Sequence, residues 1–348
     1  MKILHTSDWH LGHTLYNYDR TVEQQAFLRQ LTRIVTEEQP DAMVVSGDIY
    51  HYSSPAAATQ KMYTDAMLNI HQACPEMTIV VTAGNHDSSS KLEIDSNLWQ
   101  HFGLNVVGNI ERTAEEVNLD KHIIEINNEK KTKGYVIAVP HVYPQNFPLL
   151  DTETPRDQRQ ARFFQALLDE VKKRNTAQLP VVLMAHLSIE GSDRSGHDES
   201  IGGIEYVPLS AMGEGYDYLA LGHIHCPQDI KGSHHHARYC GTPLPVSFDE
   251  TYPHSVSIIE LEKGAEPQIS TREIENPIPL VTLPHDPTPF EDALKLLEEY
   301  PEEKPAYLRL NVLTKGYLPP DCNEKASNAA KGKACKYCYI KTTRERQA

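Results

Sequence analysis

Seven side chains able to bind a metal ion fall in five short blocks of this 348-residue chain. The blocks are Ser7-Asp8-Trp9-His10, Gly47-Asp48, Gly84-Asn85-His86-Asp87, His186, and Gly222-His223-Ile224-His225. The candidate ligands are Asp8, His10, Asp48, Asn85, His186, His223 and His225, a mixed oxygen and imidazole set with no thiolate. Such a set suits Mn, Fe or Zn in five or six coordination better than a closed tetrahedral structural zinc. A carboxylate with two oxygens, such as Asp48, can bridge two ions. Two ions roughly 3.5–4 Å apart can activate water and neutralise charge on phosphoryl oxygens, so the pattern predicts hydrolysis of a phosphate ester at a dinuclear centre. One Asp-x-His or Gly-Asp arises often by chance; five blocks in order leave little room for turn aspartates and core histidines.

Each block follows an apolar run: Ile3-Leu4, Ala42–Val45, Thr78–Val81, Val181–Met184 and Tyr218–Leu221. Short apolar runs ended by Gly or polar residues suit strands buried on both faces, so ligands just beyond them converge on one sheet edge. Asp8 and His10 are two apart, as are His223 and His225; strand geometry persisting through each pair would aim both side chains the same way. Helical spacing of apolar residues predicts helices over 19–38 and 55–72, the second with Pro55 in its first turn. Further helices are expected over 91–102 and 156–175. Alternating stretches at 105–107, 122–126 and 135–139 predict a second sheet with one face wet. Residues 187–210 read as a long polar loop edging the substrate cleft. Residues 1–275 thus form one large unit of two facing sheets flanked by helices. Prolines 277, 279, 284 and 287 mark a stiff linker over 276–286. Residues 287–348 read as a small α+β lobe, with helices near 290–297 and 321–331 and strands near 307–312 and 335–342.

The order Asp-x-His, Gly-Asp, Gly-Asn-His-Asp, His, Gly-His-x-His resembles the calcineurin-like metallophosphoesterases. The opening Ile3-Leu4-His5-Thr6-Ser7-Asp8-Trp9-His10-Leu11-Gly12, with the block from Tyr239 to Glu250, is similar to the SbcD family of nuclease subunits. The likeness is strong to about residue 275 and looser beyond. It implies a four-layer α-β-β-α sandwich with a capping domain. It also implies two Mn2+ ions, one held by Asp8, His10, Asp48 and His225, the other by Asp48, Asn85, His186 and His223. In the same family pattern His86 is the catalytic histidine that helps the leaving oxygen depart, Asp87 orients it, and His51 assists substrate positioning. The implied substrate is DNA, cut as double-strand exonuclease and single-strand or hairpin endonuclease. The implied partners are an SbcC-type ATPase and a second copy of the chain, with Met62, Met67, Leu68, Leu98 and Trp99 as interface candidates. The family continues with a helical segment that docks on the ATPase; nothing here matches it, and the expectation is a C-terminus shortened relative to the family.

Net charge of −15 runs against a nucleic-acid partner, since backbone binding favours a basic surface. Bound divalent cations would invert the local balance. Basic stretches also exist: Lys172-Lys173-Arg174, read as a solvated helix end, and Lys331, Lys333, Lys336, Lys341, Arg344 and Arg346, either a solvated tail or a DNA contact. No apolar run approaches the roughly 20 residues that cross a bilayer and no signal-peptide core follows Met1, so no membrane partner is expected and the cytoplasm is the expected compartment. Six scattered cysteines fit a reducing compartment. Cys335-Lys336-Tyr337-Cys338 lacks the second pair that a zinc site needs, and His234-His235-His236 reads as a solvated hairpin turn. Against the nuclease stand another phosphoesterase of the same fold and a partner-dependent scaffold. Protein phosphatases of the superfamily carry Asp-Arg-Gly after the Gly-Asp, where this chain has Ile49-Tyr50-His51; scaffolds lose ligands that are all present here.

Overall fold

The structure is a computed structural model and describes residues 1–112, 116–128, 131–196 and 206–344. Strand β1 (Lys2–Thr6) leads to helix α1 (Thr21–Glu38), then β2 (Ala42–Ser46), α2 (Ala57–Ala73), β3 (Thr78–Thr82) and β4 (Leu104–Val107). A second run supplies β5 (Ile123–Asn128), β6 (Lys131–Ala138), α3 (Arg159–Arg174), β7 (Val181–His186), β8 (Tyr218–Gly222), β9 (Gln228–Asp229) and β10 (Ala237–Tyr239). The chain then returns with β11 (Ser255–Glu260) and β12 (Gln268–Glu273). One sheet has the order β12-β11-β1-β2-β3-β4 and the other β9-β10-β8-β7-β6-β5. The ligand-bearing strands β1, β2 and β3 are parallel neighbours, as are β7 and β8, so their C-terminal ends share one edge.

Side-chain alternation explains the layering. Leu4, Met43, Val45, Ile79 and Val81 face α1 and α2, while Ile3, Ala42, Val44 and Val80 face the second sheet. There they meet Val136, Val182, Met184 and Ala220; α3 covers the far side through Phe163, Phe164, Leu167 and Val171. The result is the expected α-β-β-α sandwich. Burying each of the Val, Leu, Ile, Met and Phe side chains among them contributes about 1.5–3 kcal/mol. Helix α1 stops at Gln39, left-handed at φ 43°, whose N–H returns to the Val35 carbonyl.

Two expectations need correction. The helix expected over 91–102 is broken into turns at Ser89–Leu92, Ser96–Trp99 and Gln100–Phe102. Between the first two, the Glu93 carboxylate is drawn to the backbone N–H groups of Gly108 and Asn109 and to Lys121. The linker expected over 276–286 is strand in its second half: β13 (Leu280–Thr288) opens the C-terminal lobe. Pro284 and Pro287 are tolerated because β13 is an edge strand whose pairing breaks between Leu283 and Thr288.

The lobe continues with α4 (Phe290–Glu298), β14 (Tyr307–Thr314), α5 (Cys322–Ala330) and β15 (Lys336–Arg344). All three strands run parallel in the order β13-β14-β15, over a core that includes Leu294, Leu297, Leu308, Leu310 and Ala326. Cys335 lies just before β15 and Cys338 within it, and neither joins a metal-ligand cluster among the described residues. His234-His235-His236 forms the turn between β9 and β10, with His235 on Asp229. Among the described residues no helix is long and apolar enough to cross a membrane.

Candidate metal centre

The seven candidate ligands meet in one cleft beyond the shared strand edge, although not by strand continuation. His186 is the last residue of β7, while β1 ends at Thr6, β2 at Ser46, β3 at Thr82 and β8 at Gly222, and the other six ligands follow in loops. Asp8, His10, Asp48 and His223 are left-handed, at φ 53°, 46°, 52° and 95°. The 8–11 loop is laced to the 47–51 loop: Asp8 N–H to Gly47 O (3.0 Å), His10 N–H to Asp48 O (3.0 Å), Leu11 N–H to Ile49 O (2.9 Å), and His51 N–H back to Leu11 O (3.0 Å). Pairwise convergence is therefore a product of turned loops held by backbone bonds, where an extended strand was expected. Glycine is required at two contacts. A Cβ on Gly84 would overlap the Asp48 carboxylate, and one on Gly47 (φ 87°) would overlap the His186 ring.

The cluster divides into two halves. Asp8, His10 and His225 bring three ligand atoms within 4.8 Å of one another, and so do Asp8, Asp48 and His186; a third such group, His10, His51 and His86, lies beside the first. Asp48 Oδ2 lies 3.8 Å from His10 Nε2 and 3.5 Å from His186 Nε2, between the halves. Asn85 Oδ1 is 2.9 Å from His186 Nε2 and 3.0 Å from His223 Nδ1. His10 and His225 face each other, Nε2 to Nε2, at 3.2 Å.

Electrostatics follow from burial. Desolvation pushes the Asp8 carboxyl up to about 6 against the pull of His186 and His225. Burial alone would also raise Asp48, but His186, His10 and His86 hold it well below the usual carboxylate range. Burial would depress His186, yet the Asp48 and Asp8 charges raise it to about 9. His10 is pushed well below its ordinary value by burial, with Asp48 opposing. Buried carboxylates beside imidazoles are a donor set that a divalent cation completes, releasing protons as it binds.

The tautomers support that fit. His186 Nδ1–H donates to Ser46 O at 2.8 Å, and His225 Nδ1–H to Glu250 Oε1 at 2.9 Å. Each bond commits Nδ1 and turns Nε2 into the cluster, that of His186 toward Asn85 Oδ1 and that of His225 toward His10 Nε2, so Nε2 is the nitrogen that would take a metal ion on giving up its proton. Glu250 is buried and also accepts from Thr242 Oγ1 at 3.0 Å. Its role carries no spacing signal; the available hint was its place at the end of the Tyr239–Glu250 block.

The His86 ring donates from Nδ1 to the His51 carbonyl at 2.8 Å, and its backbone N–H to Asp48 Oδ1 at 2.9 Å. Asp87, expected to orient His86, does something else. Its carboxylate accepts the backbone N–H groups of Ile49 (3.1 Å), Tyr50 (2.9 Å) and Gly84 (2.8 Å), tying two ligand loops together. Its neighbouring backbone donors outcompete the ring, which His51 holds instead. The His51 ring stacks on His86 at 5.1 Å, with Nδ1 3.3 Å from His10 Nδ1. The cleft, about 370 Å³, is also lined by His13 and Tyr16, which the sequence did not single out, by Ser247 of the Tyr239–Glu250 block, and by Gly196. Gly196 belongs to the polar loop expected to edge the cleft; residues 197–205 of that loop lie outside the described residues.

Residues 1–227 match the family model of calcineurin-like phosphoesterases, and the chain belongs to that family. It is 33% identical over 309 residues to the SbcD component of the SbcCD nuclease of Rhodobacter capsulatus, covering 86% of this chain and 75% of that one. The SbcD of Escherichia coli K12 is 29% identical over 91% of this chain and 79% of its own length, and that of Bacillus subtilis 31% over 76% and 68%. The chain is a metal-dependent phosphoesterase of the SbcD nuclease family.

Proposed function

We propose that the chain is a Mn2+-dependent DNA nuclease, a double-strand exonuclease and single-strand or hairpin endonuclease that works in DNA repair. Its proposed partners are an SbcC-type ATPase and a second copy of itself, in the cytoplasm. The observation that carries this reading is two adjoining three-ligand groups that share Asp8, with Asp48 Oδ2 between His10 and His186 and a tethered, cleft-lining His86 beside them. Asp8, His10, Asp48 and His225 would hold one ion and Asp48, Asn85, His186 and His223 the other. When bound, the ions supply the Lewis acidity and charge neutralisation that phosphodiester hydrolysis needs. Oxygen and imidazole donors favour Mn2+ over a thiolate-preferring metal.

The chain's own residues supply the rest. His86, with Nδ1 committed to the His51 carbonyl, keeps Nε2 to hold or deliver a proton at the leaving oxygen. His51 backs that ring, and Asp87 keeps the Asp48 and Asn85 loops in register. For the homodimer, Met67 and Trp99 are core residues, whereas Leu98 is 58% and nearby Ile94 78% exposed, which makes those two the surface anchors beside α2.

The test is cleavage of an end-labelled DNA hairpin in Mn2+, with a chelator control and a phosphomonoester as second substrate. Metal-dependent DNA cutting with little monoesterase activity is expected. Monoesterase activity alone would transfer the chain to the phosphatases of the same fold, and silence on both, with the ATPase partner added, would leave a scaffold.

A further inference from the structure

The C-terminal lobe touches the sandwich close to the metal cleft, and Arg309 on β14 is the hub of that contact. It is 5% exposed. Its Nε donates to Thr282 Oγ1 of β13 at 3.1 Å and its Nη1 to the Tyr339 hydroxyl of β15 at 3.0 Å. The same guanidinium reaches across to the sandwich: Nη1 donates to Asp249 Oδ1 at 2.7 Å, Nη2 to Phe248 O at 3.4 Å, and the plane lies over the Phe248 ring at 5.2 Å. The next residue is Glu250, whose carboxylate holds His225 Nδ1 at 2.9 Å. The Glu250 N–H to Ser247 O bond (3.2 Å) and the Asp249 N–H to Ser247 Oγ bond (3.2 Å) fix the shape of this turn; Thr242 Oγ1 (3.0 Å) and the Val246 N–H (3.4 Å) hold the Glu250 carboxylate from the sandwich, and Arg309, with Lys341 on Asp249 (3.2 Å), holds the turn from the lobe.

We infer that Arg309 is a positioning residue for the metal centre, clamping the 247–250 turn so that Glu250 presents the His225 ring to the cleft. The inference rests on reading His225 as a metal ligand. A planar guanidinium grips two successive residues of the turn at once, through a carboxylate and a carbonyl, which a point charge could not do. Releasing it frees the backbone one residue from Glu250, and a carboxylate that slips by a few tenths of an ångström loosens the ring it orients. Docking of the lobe is thereby coupled to metal affinity. Loss of a partner in direct contact with a ligand typically costs 10–100-fold in metal affinity, so one step further out the expected loss is about three- to tenfold.

The test is calorimetric titration of Mn2+ into the metal-free full-length chain, comparing wild type with Arg309→Ala, Asp249→Asn, their double variant, His225→Ala and Tyr18→Phe. Tyr18→Phe removes a lobe contact, the hydroxyl bond to Tyr337 O at 2.9 Å, that does not touch the turn. His225→Ala is expected to abolish one of two binding events. Arg309→Ala and Asp249→Asn should each weaken that same event about three- to tenfold, with the double variant no worse than the stronger single, and Tyr18→Phe should leave both events as in wild type. Unchanged binding in both clamp variants, with His225→Ala defective, overturns the inference, as does an equal loss in Tyr18→Phe. Both events surviving in His225→Ala would instead overturn the ligand reading beneath it. Should Arg309→Ala unfold the lobe, Asp249→Asn decides alone, because its side chain is about half exposed and fills no core.

Discussion

Left-handed backbone at Asp8, His10, Asp48 and His223 costs about 1–3 kcal/mol per residue, and four such residues in one cleft store strain at the functional site. The backbone bonds between the 8–11 and 47–51 loops hold that strain in place, and the small size of Gly84 lets Asp48 sit where it does. Gly84→Ala should therefore displace the Asp48 carboxylate from both halves of the centre. The expected outcome is a fall in Mn2+ affinity of at least about 100-fold by calorimetry, with the far-ultraviolet circular dichroism of the fold retained. His86→Ala should act differently. Its ring is tied to the His51 carbonyl and, although it groups with His10 and His51, it stands outside the proposed ligand set, so Mn2+ isotherms should stay as in wild type while DNA hydrolysis falls by about 10²–10⁴. Full activity would remove His86 from the mechanism; lost metal would make it a ligand. The cleft residues were legible because few side chains bind metals and they stood in short blocks behind strands. Glu250 and the true partners of Asp87 were not, because a carboxylate 25 residues beyond the ring it holds, or one spent on backbone N–H groups, leaves no periodic trace.

Elements were readable where one residue pattern had one physical outcome. Apolar runs such as Ala42–Val45 and Val181–Met184 become strands buried on both faces, and the 156–175 periodicity becomes α3 preceded by a short turn at Arg156–Gln158. Proline content misled at β13, where an edge position removes the penalty that proline carries inside a sheet. At the edge of the second sheet His122 makes a testable contribution. It is fully buried against Phe163, donates Nδ1–H to Ala138 O at 2.7 Å, and leaves Nε2 without a partner. Burial lowers it from 6.5 to about 4, with the Ala138 bond opposing. Because the native value is depressed, the unfolded chain takes up the proton first on acidification. The stabilisation is complete above about pH 6.5 and is lost as pH falls through about 4, a contribution on the order of 2–4 kcal/mol. Urea unfolding of the metal-free protein at pH 7, 5.5 and 4.5 should show His122→Asn losing less stability on acidification than wild type, by up to one proton's slope. Parallel curves would mean that burial does not depress His122 in the native state.

At the scale of the molecule, the difficulty is an acidic chain, net −15, proposed to hold a polyanion. The C-terminal basic run offered one answer, and three of its five described members are engaged internally, leaving Lys331 and Arg344 exposed. The Lys333 ammonium caps α4 through the carbonyls of Leu297 (3.0 Å) and Tyr300 (2.9 Å), and that of Lys336 lies over the rings of Tyr18 and Tyr307 at 5.4 and 5.2 Å. Lys341 pairs with Asp249 at 3.2 Å, and Arg346 lies outside the described residues. These lysines bind the lobe together and to the sandwich more than they present a basic track. Divalent ions in the cleft must then carry much of the phosphate neutralisation. Binding of an uncleavable phosphorothioate hairpin should accordingly be lost in chelator and return with Mn2+. With the metal held saturating, log K against log[salt] should fall with a slope shallower than about −3, corresponding to roughly three displaced counterions. A slope near −6 or steeper, or binding that survives chelation, would require a continuous basic surface, which a chain of this charge could assemble only by bringing in a partner.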